Sequence, residues 1–498
     1  PKMAEVGIKS FINGPEAFTP DNEFCLGETD VGGFYVAAGY CAHGIAGAGG
    51  IGKVMAEWIV GNEPPMDLWH MDIRRFGPAY KSPAFTLDRI QENYEQYYDI
   101  HYPQEERQTC RPFNVSPVYE WHKANGASFG EKSSWERVNY YKNHQGSETT
   151  RPFGWAGKNW SDAVQIEHEA TRNHAGLFDE SSFAKLEING AQSAEFLEFV
   201  CANDVVRGVG RTIYTQALNS KGGIECDFTV TQFASDRFLI ITGTAFAHHD
   251  AGWLKKLKRE HAFENVQIND VTSDYAIFGI WGPNAREVLQ SLTNSDLSPT
   301  SFPFMHSKEF EIGGTIVRAT RITYVGELGW ELLIPVKDAL PIWQKLIDKG
   351  ATPCGYRAIE SLRLEKGYLA WAGEINTEYN PYEAGLGFAI SKSKSNFFGA
   401  KALTNLKNPN RKLVCITFDD IRRVPLGSEP IRFGDQVIGR IKSGGQGYTI
   451  NKAIAYAYIP IEFSEPGTKL EVEFFGEWHS GIISTTPLYD PTGSKIRA

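Results

Sequence analysis

Two short segments carry carboxylates in settings where a carboxylate can do chemistry. In LNSKGGIECDFTV (218–230), Gly222 and Gly223 make a turn, and Asp227 stands where the strand FTVTQF emerges from it. Period-2 geometry puts Asp227 on one face with Thr229 and Thr231, and Phe228 and Val230 on the other. Such a carboxylate either caps the turn or serves a pocket as an acid/base or cation-stabilising group. The second segment, Tyr324-Val-Gly-Glu-Leu-Gly-Trp-Glu331, uses two glycines to bring backbone close, flanked by Tyr324 and Glu331. A carboxylate there accepts from a ligand with two adjacent N–H donors, as an aminopyrimidine or pterin edge has, or closes a hairpin salt bridge.

A third segment, Gly47-Ala-Gly49-Gly50-Ile-Gly52-Lys53-Val54, matches GxGxxG. Val54 cannot supply the Mg²⁺-binding hydroxyl of a P-loop. No acidic partner on a second strand completes a dinucleotide fingerprint. What remains is a helix start whose N–H groups face a phosphate or a ring carbonyl, or a tight packing turn. No metal site is expected: the 12 histidines contain no HExxH or HxH pattern, and adjacent His248 and His249 point to different helix faces. GxSxG is absent.

These segments sit in a chain of 498 residues, a length that suggests about three domains. Its 42% hydrophobic and 22% charged residues are those of a globular protein. The net charge of −10 argues against a nonspecific hold on nucleic acid. Seven scattered cysteines without CxxC spacing support neither a disulfide framework nor structural zinc, so a reducing compartment fits. Apolar runs such as Phe238–Ile241 are far too short to span a membrane. The chain opens at Pro1 with no readable targeting signal, and it reads as a portion of something longer.

The positioning elements follow from periodicity. Residues 32–40 predict a buried strand, then a glycine loop, then a helix with Val54, Met55, Trp58 and Ile59 on one stripe. Residues 67–144 read as an irregular connector, with a helical stretch over Thr86–Tyr97. From Ser161 a helix leads into strand 184–188, a helix capped by Ser193, strands TIYTQAL, DFTVTQF and FLIIT, and a helix over Ala245–Arg259. A second run gives strand YAIFGIWG, a helix begun by Pro283, strands KEFEI, TIVRATRI and GWELLIP, and two helices. Both runs are β-α-β-β-α with a closing strand, which predicts two ferredoxin-like split βαβ units. After Lys412, short alternating strands predict a β-barrel or jelly roll.

The motifs AGLFDESSFAKLEI, YTQALNSKGGIECDF, YVGELGWEL, YRAIESLRLEKG and PYEAGLGFAI occur in an order that resembles the folate-binding aminomethyltransferase fold of the glycine-cleavage T-protein, over residues 165–490. Residues 1–75, with FYVAAGYCAHGIAGAGGIGK and DIRRFGP, resemble the end of the flavin domain of dimethylglycine and sarcosine dehydrogenases, where the two units are fused. The resemblance implies an α+β protein with four parts: the end of an FAD oxidoreductase domain (1–75), a connector (76–150), a folate-binding domain (151–408) and a C-terminal barrel (409–498). It also implies that Asp227 is the catalytic carboxylate beside the reactive nitrogens of tetrahydrofolate. Tyr324, Glu331 and Tyr368 line the folate, with Glu331 on the pterin edge. His43, Gly44, Gly47, Gly49 and Gly50 form an FAD-facing loop.

One position departs from many T-proteins, which carry Arg where Ile359 stands. The implied activity is N-demethylation of a small methylamine, dimethylglycine or sarcosine, with the carbon delivered to tetrahydrofolate as 5,10-methylenetetrahydrofolate and FAD serving only in the full-length protein. The electron acceptor is left open, a homo-oligomer is allowed, and the compartment is the cytoplasm, or the mitochondrial matrix in a eukaryote. The alternatives are a stand-alone folate-dependent transferase and a noncatalytic regulatory subunit of a mitochondrial phosphatase, which such a fusion also forms.

Overall fold

The computed structural model describes residues 4–100, 105–142, 162–421 and 423–498. It forms two compact units, Pro1–Ile100 and His101–Ala498. In the first, strands β1 (Cys25–Glu28) and β2 (Tyr35–Ala38) pair antiparallel, followed by helices α1 (Gly44–Gly61) and α2 (Pro83–Glu95). The strand-then-helix order is as expected, but Gly44, Gly47, Gly49 and Gly50 are the opening turns of α1 and not a loop. The bend is made earlier, at Cys41 and Ala42, both with left-handed backbones (φ 46° and 63°). Met55 and Trp58, packed on Leu26 and Leu68, anchor the far end of the helix.

The second unit opens with α3 (Tyr119–Ala124) and a hairpin of β3 (Ala127–Lys132) and β4 (Trp135–Tyr141), so this part of the connector is regular where irregular chain was expected. Ser161 and residues 143–150 of the connector lie outside the described residues. Next come α4 (Asp162–Asn173), β5 (Gly176–Asp179), β6 (Ala184–Asn189), α5 (Ser193–Val200), β7 (Thr212–Leu218), β8 (Ile224–Ala234), β9 (Arg237–Thr242), α6 (Ala247–Glu260) and β10 (Gln267–Asp270). The second run is β11 (Tyr275–Trp281), α7 (Ala285–Gln290), β12 (Ser307–Ile312), β13 (Thr315–Thr320), β14 (Gly329–Pro335), α8 (Ala339–Asp348), β15 (Thr352–Cys354) and α9 (Tyr356–Lys366). A short α10 (Ala400–Thr404) precedes a closed barrel of β16 (Arg411–Phe418), β17 (Pro430–Phe433), β18 (Gln436–Gly447), β19 (Lys452–Pro460), β20 (Lys469–Phe474) and β21 (Glu477–Ser484). The barrel, not the jelly roll, is the outcome, and no helix among the described residues is long and apolar enough to cross a membrane.

Both repeats are present. The first sheet, β10-β6-β9-β8-β7, is the split βαβ order with β7 added at its edge. The second, β12-β13-β14-β11-β5-β15, places β5, which precedes the first repeat in the chain, beside β11, so the repeats interlock. Two predicted helix starts move. Ser193 lies inside α5, whose N-cap is Gln192, because its side chain is buried and makes no capping bond. Pro283 precedes the Asn284 cap of α7.

Alternation gives each sheet two different faces. Phe228, Val230, Phe238 and Ile240 pack outward under α5 and α6. Phe278, Ile280, Trp330 and Leu332 pack outward under α7 and α8. Leu239, Ile241, Ile277 and Leu333 turn inward, where the two sheets meet. The sheets are also bonded edge to edge, Thr212 N–H to Met305 O (3.0 Å) and Ser307 N–H to Gly210 O (2.7 Å).

The loop joining β13 to β14 is held by a buried ion network. Arg172 of α4 donates to Glu327 (3.1 Å), Glu365 (3.0 Å) and the Val325 carbonyl (2.7 Å), and lies 3.8 Å from the centre of the Tyr489 ring. Tyr489 donates to Glu327, and Glu365 accepts from Thr449 N–H in the barrel. Replacing Arg172 by Met leaves two buried carboxylates without their cation, with an expected loss of about 3–5 kcal/mol in urea unfolding. A loss below about 1 kcal/mol would contradict this role for the network.

Candidate functional site

Asp227 does not cap the turn that precedes it. That duty falls to Asn219, whose Oδ1 accepts from Lys221 N–H (3.0 Å) and Gly223 N–H (2.9 Å). Gly223 is required there, since a Cβ would stand 1.9 Å from the Thr377 carbonyl oxygen. Asp227 is released to the inner face of its sheet, opposite Gln216 on β7. The Gln216 amide donates to it at 2.8 Å, and the Tyr214 hydroxyl also bonds it. Burial pushes the Asp227 carboxyl up to about 6, although both donors favour the anion. The remaining Gln216 oxygen is buried and has no hydrogen-bond partner among the described residues.

Behind Asp227, His249 of α6 is clamped between Asp250 (Nδ1, 2.8 Å) and Glu225 (Nε2, 3.3 Å). Burial lowers its basicity, but the two carboxylates outweigh that and bring it to about 9. Among the described residues, Cys226, His249 and Asp250 are the group with metal-ligand spacing. With both ring nitrogens facing carboxylates, the ring is an imidazolium without a lone pair for a metal.

Tyr324 and Tyr368 lie nearly parallel, 6.1 Å between centres and 13° between planes. The Tyr324 hydroxyl donates to the Leu369 carbonyl (2.8 Å), so its ring, not its hydroxyl, is offered to the cleft. Gly326 (φ 83°) makes the bend between Tyr324 and β14. Ile359, at the departing position, is buried with Phe178, Trp281 and Tyr324 as an apolar wall. Glu331 faces inward from β14, in a tight cleft of about 10 Å³ shared with Thr231, Phe233, Leu239, Ile241, Ile277, Arg318, Thr320 and Leu333. It makes no salt bridge and accepts no hydrogen bond from a described residue, and burial raises its carboxyl. Thr231 is four residues beyond Asp227, about 13 Å along the strand, so a ligand touching both carboxyls must be elongated. Asp227, Tyr324, Tyr368 and Glu331 therefore all belong to the second unit.

His43 and the glycines belong to the first. His43 precedes α1, and its ring pairs with the Tyr97 hydroxyl at 2.5 Å. Gly49 and Gly50 are exposed, with nothing within 4 Å of where a Cβ would stand. Sequence reasoning missed Gln216, Tyr214, the His249 clamp and Glu180, a buried acid on the same inner face as Glu331. The first two were within reach, because the hairpin register puts Tyr214 and Gln216 opposite Thr229 and Asp227.

The second unit thus combines two interlocked split βαβ units, a carboxylate-lined seam and a terminal barrel. The chain belongs to the glycine cleavage T-protein family: the GCVT N-terminal domain matches residues 118–394 and the glycine cleavage T-protein C-terminal barrel domain matches 411–490. The FAD dependent oxidoreductase central domain matches 62–116. Dimethylglycine dehydrogenase, mitochondrial, of Mus musculus is 34% identical over all of this chain, which spans 58% of that relative's length. An aminomethyltransferase of Symbiobacterium thermophilum is 30% identical over 75% of this chain and 96% of its own. The crystal structure of the glycine cleavage system aminomethyltransferase T from Bartonella henselae superposes with TM-score 0.64 at 27% identity, covering 76% of this chain and 98% of that one.

The raised carboxyl of Asp227 has a stability consequence. An exposed aspartate titrates near 3.8 and Asp227 near 6, so the folded state holds the extra proton between these values. Stability therefore falls as pH rises from 3.8 to 6 and stays lower above. Asp227→Asn removes this penalty: at pH 8 the variant is expected to be more stable than the parent by about 1–3 kcal/mol, and the difference shrinks toward pH 4. A variant less stable than the parent at pH 8 would contradict the assignment.

Proposed function

We propose that the cleft between the two sheets binds tetrahydrofolate, and that the chain is the folate-using part of a flavin-dependent N-demethylase of dimethylglycine or sarcosine. The observation that carries this reading is a surplus of acceptors. The free oxygen of Gln216 and the carboxyl of Glu331 are recessed along one seam and accept from no described residue. Buried acceptors without donors are costly, and a reduced pterin brings N–H groups along its edge. On this reading Glu331 accepts from the amino edge, Tyr324 and Tyr368 line the ring, and Asp227 faces the reacting nitrogens.

Bound tetrahydrofolate supplies amine nitrogens that take up a one-carbon unit at the oxidation level of formaldehyde, giving 5,10-methylenetetrahydrofolate. Asp227, as a carboxylate, stabilises the cationic iminium donor and takes up the proton released when the first folate nitrogen attacks; the second nitrogen then displaces the demethylated amine, which leaves as its ammonium carrying both amine protons. Tyr214 and Gln216 fix the orientation of Asp227, and the low dielectric of the seam strengthens its field. The enclosed cleft keeps water from the iminium. The first-unit residues give a dinucleotide no enclosure of their own, since His43 is engaged by Tyr97 and the Gly49–Gly50 face is bare. The domain limits follow the same reading: 1–75 as the end of the flavin domain, 76–150 as connector, 151–408 as folate domain and 409–498 as barrel.

Seven cysteines without CxxC spacing fit a reducing compartment, the cytoplasm or, as the mouse relative's name favours, a mitochondrion. A second reading, a transferase that acts without flavin, is favoured by the near-complete coverage of the bacterial aminomethyltransferase. Folate-dependent product formation by this chain alone would select it. The primary reading predicts that Glu331→Gln weakens tetrahydrofolate binding at least about tenfold in calorimetry. Asp227→Asn should bind within about threefold of the parent but transfer carbon about 10²-fold more slowly, and the parent's transfer rate should rise with pH through about 6. Equal transfer rates in the two proteins would sink the role of Asp227.

A further inference from the structure

Glu180 follows β5 directly, and its N–H donates to the Ile277 carbonyl at 2.9 Å, extending the β5–β11 ladder by one residue. Paired residues of an antiparallel ladder share a face. Glu180 therefore stands beside Ile277 and Leu333, one step along from the row of Phe178, Gly279 and Glu331. Ile277, Leu333 and Glu331 all line the cleft. Gly279 leaves the middle of the Glu331 row without a side chain of its own. Glu180 is fully buried, and neither of its carboxyl oxygens has a hydrogen-bond partner among the described residues.

The titratable groups facing Glu180 are Glu331 on β14, Asp179 on its own strand, Arg137 on β4, Lys185 on β6 and Tyr356 on α9. None neutralises it directly. Asp179 is engaged by His122 (2.9 Å) and Ser181, and Lys185 donates to the carbonyls of Ser181 and Phe183. The Arg137 guanidinium lies 3.7 Å from the centre of the Tyr356 ring and forms no ion pair with a described carboxylate. A bare anion here would be far costlier than a neutral acid. Burial raises both carboxyls; Glu180 is fully enclosed with no described hydrogen-bond partner while Glu331 opens to the cleft, so the proton of the pair rests on Glu180 and the charge on Glu331.

We propose that Glu180 is a specificity-determining residue of the cleft, donating its acid O–H to the ring carbonyl that adjoins the N–H edge accepted by Glu331. This rests on the folate reading. An ionised carboxylate can only accept, so Glu331 alone reads N–H groups. A neutral acid beside it adds a donor, and the pair then matches a ring whose amino group, ring N–H and carbonyl follow one another. A ring with an amino group in place of that carbonyl would set donor against donor. The cleft should therefore prefer the 4-oxo ring of tetrahydrofolate to its 4-amino-4-deoxy analogue.

Calorimetric titration of the chain with both compounds tests this. The parent should bind the 4-oxo compound at least about tenfold more tightly, and the preference should fall within about threefold in Glu180→Leu, an apolar replacement suited to a buried site. The 4-oxo affinity of the parent should also decline at alkaline pH as the Glu180 proton is lost, a decline absent from Glu180→Gln, whose neutral amide still donates. An unchanged preference in Glu180→Leu, with Glu331→Gln still weakening binding, overturns the proposal and leaves the folate reading intact. Binding indifferent to Glu331→Gln, or absent from the parent, overturns both.

Discussion

Everything in the second unit turns on the cost of keeping carboxyl groups out of water between two sheets. Each sheet is covered on its outer face by helices, so the inner faces must meet, and ordinary packing would fill the seam with hydrocarbon. Part of it is filled in that way, by Leu239, Ile241, Ile277 and Leu333. The remainder carries Asp227, Glu331 and Glu180, whose burial raises all three carboxyls. Groups held at such a disadvantage mark a place built for a partner that brings donors and positive charge.

The scaffold that holds them is itself ionic. Arg172 ties α4 to the loop before β14, to α9 and to the barrel through Glu327 and Glu365. His249 ties Glu225, on the strand that carries Asp227, to Asp250 of α6. Both clusters are polar networks with their members satisfied, the condition under which buried charge rigidifies a structure. The terminal barrel thus has a role at the cleft, since Thr449 and Tyr489 complete the network that fixes the Tyr324–Glu331 loop.

Much of this is legible in the amino-acid sequence. Period-2 alternation in DFTVTQF placed Asp227, Thr229 and Thr231 on the face away from the core, and strands such as TIYTQAL and GWELLIP run over the residues expected of them. What escaped was set by tertiary context. Two residues with left-handed backbones, Cys41 and Ala42, took over the bend expected of the glycines, and those glycines then continued as helix. The insertion of β5 beside β11 cannot be read from local pattern, because the strand belongs in sequence to the segment before the first repeat. Glu180 left a single trace, an acid at the end of an apolar strand, and that becomes informative only when its partner strand and its lack of donors are known.

The central claim is that the seam holds the reduced pterin lengthwise between Glu331 and Asp227. A crystal structure of the chain soaked with tetrahydrofolate tests it most directly. The account predicts the pterin between the two sheets, its amino edge hydrogen-bonded to Glu331 and its bridging nitrogens beside the Asp227 carboxylate. Density for the ligand outside the seam, or within it but with the glutamate tail at Glu331, would contradict the account.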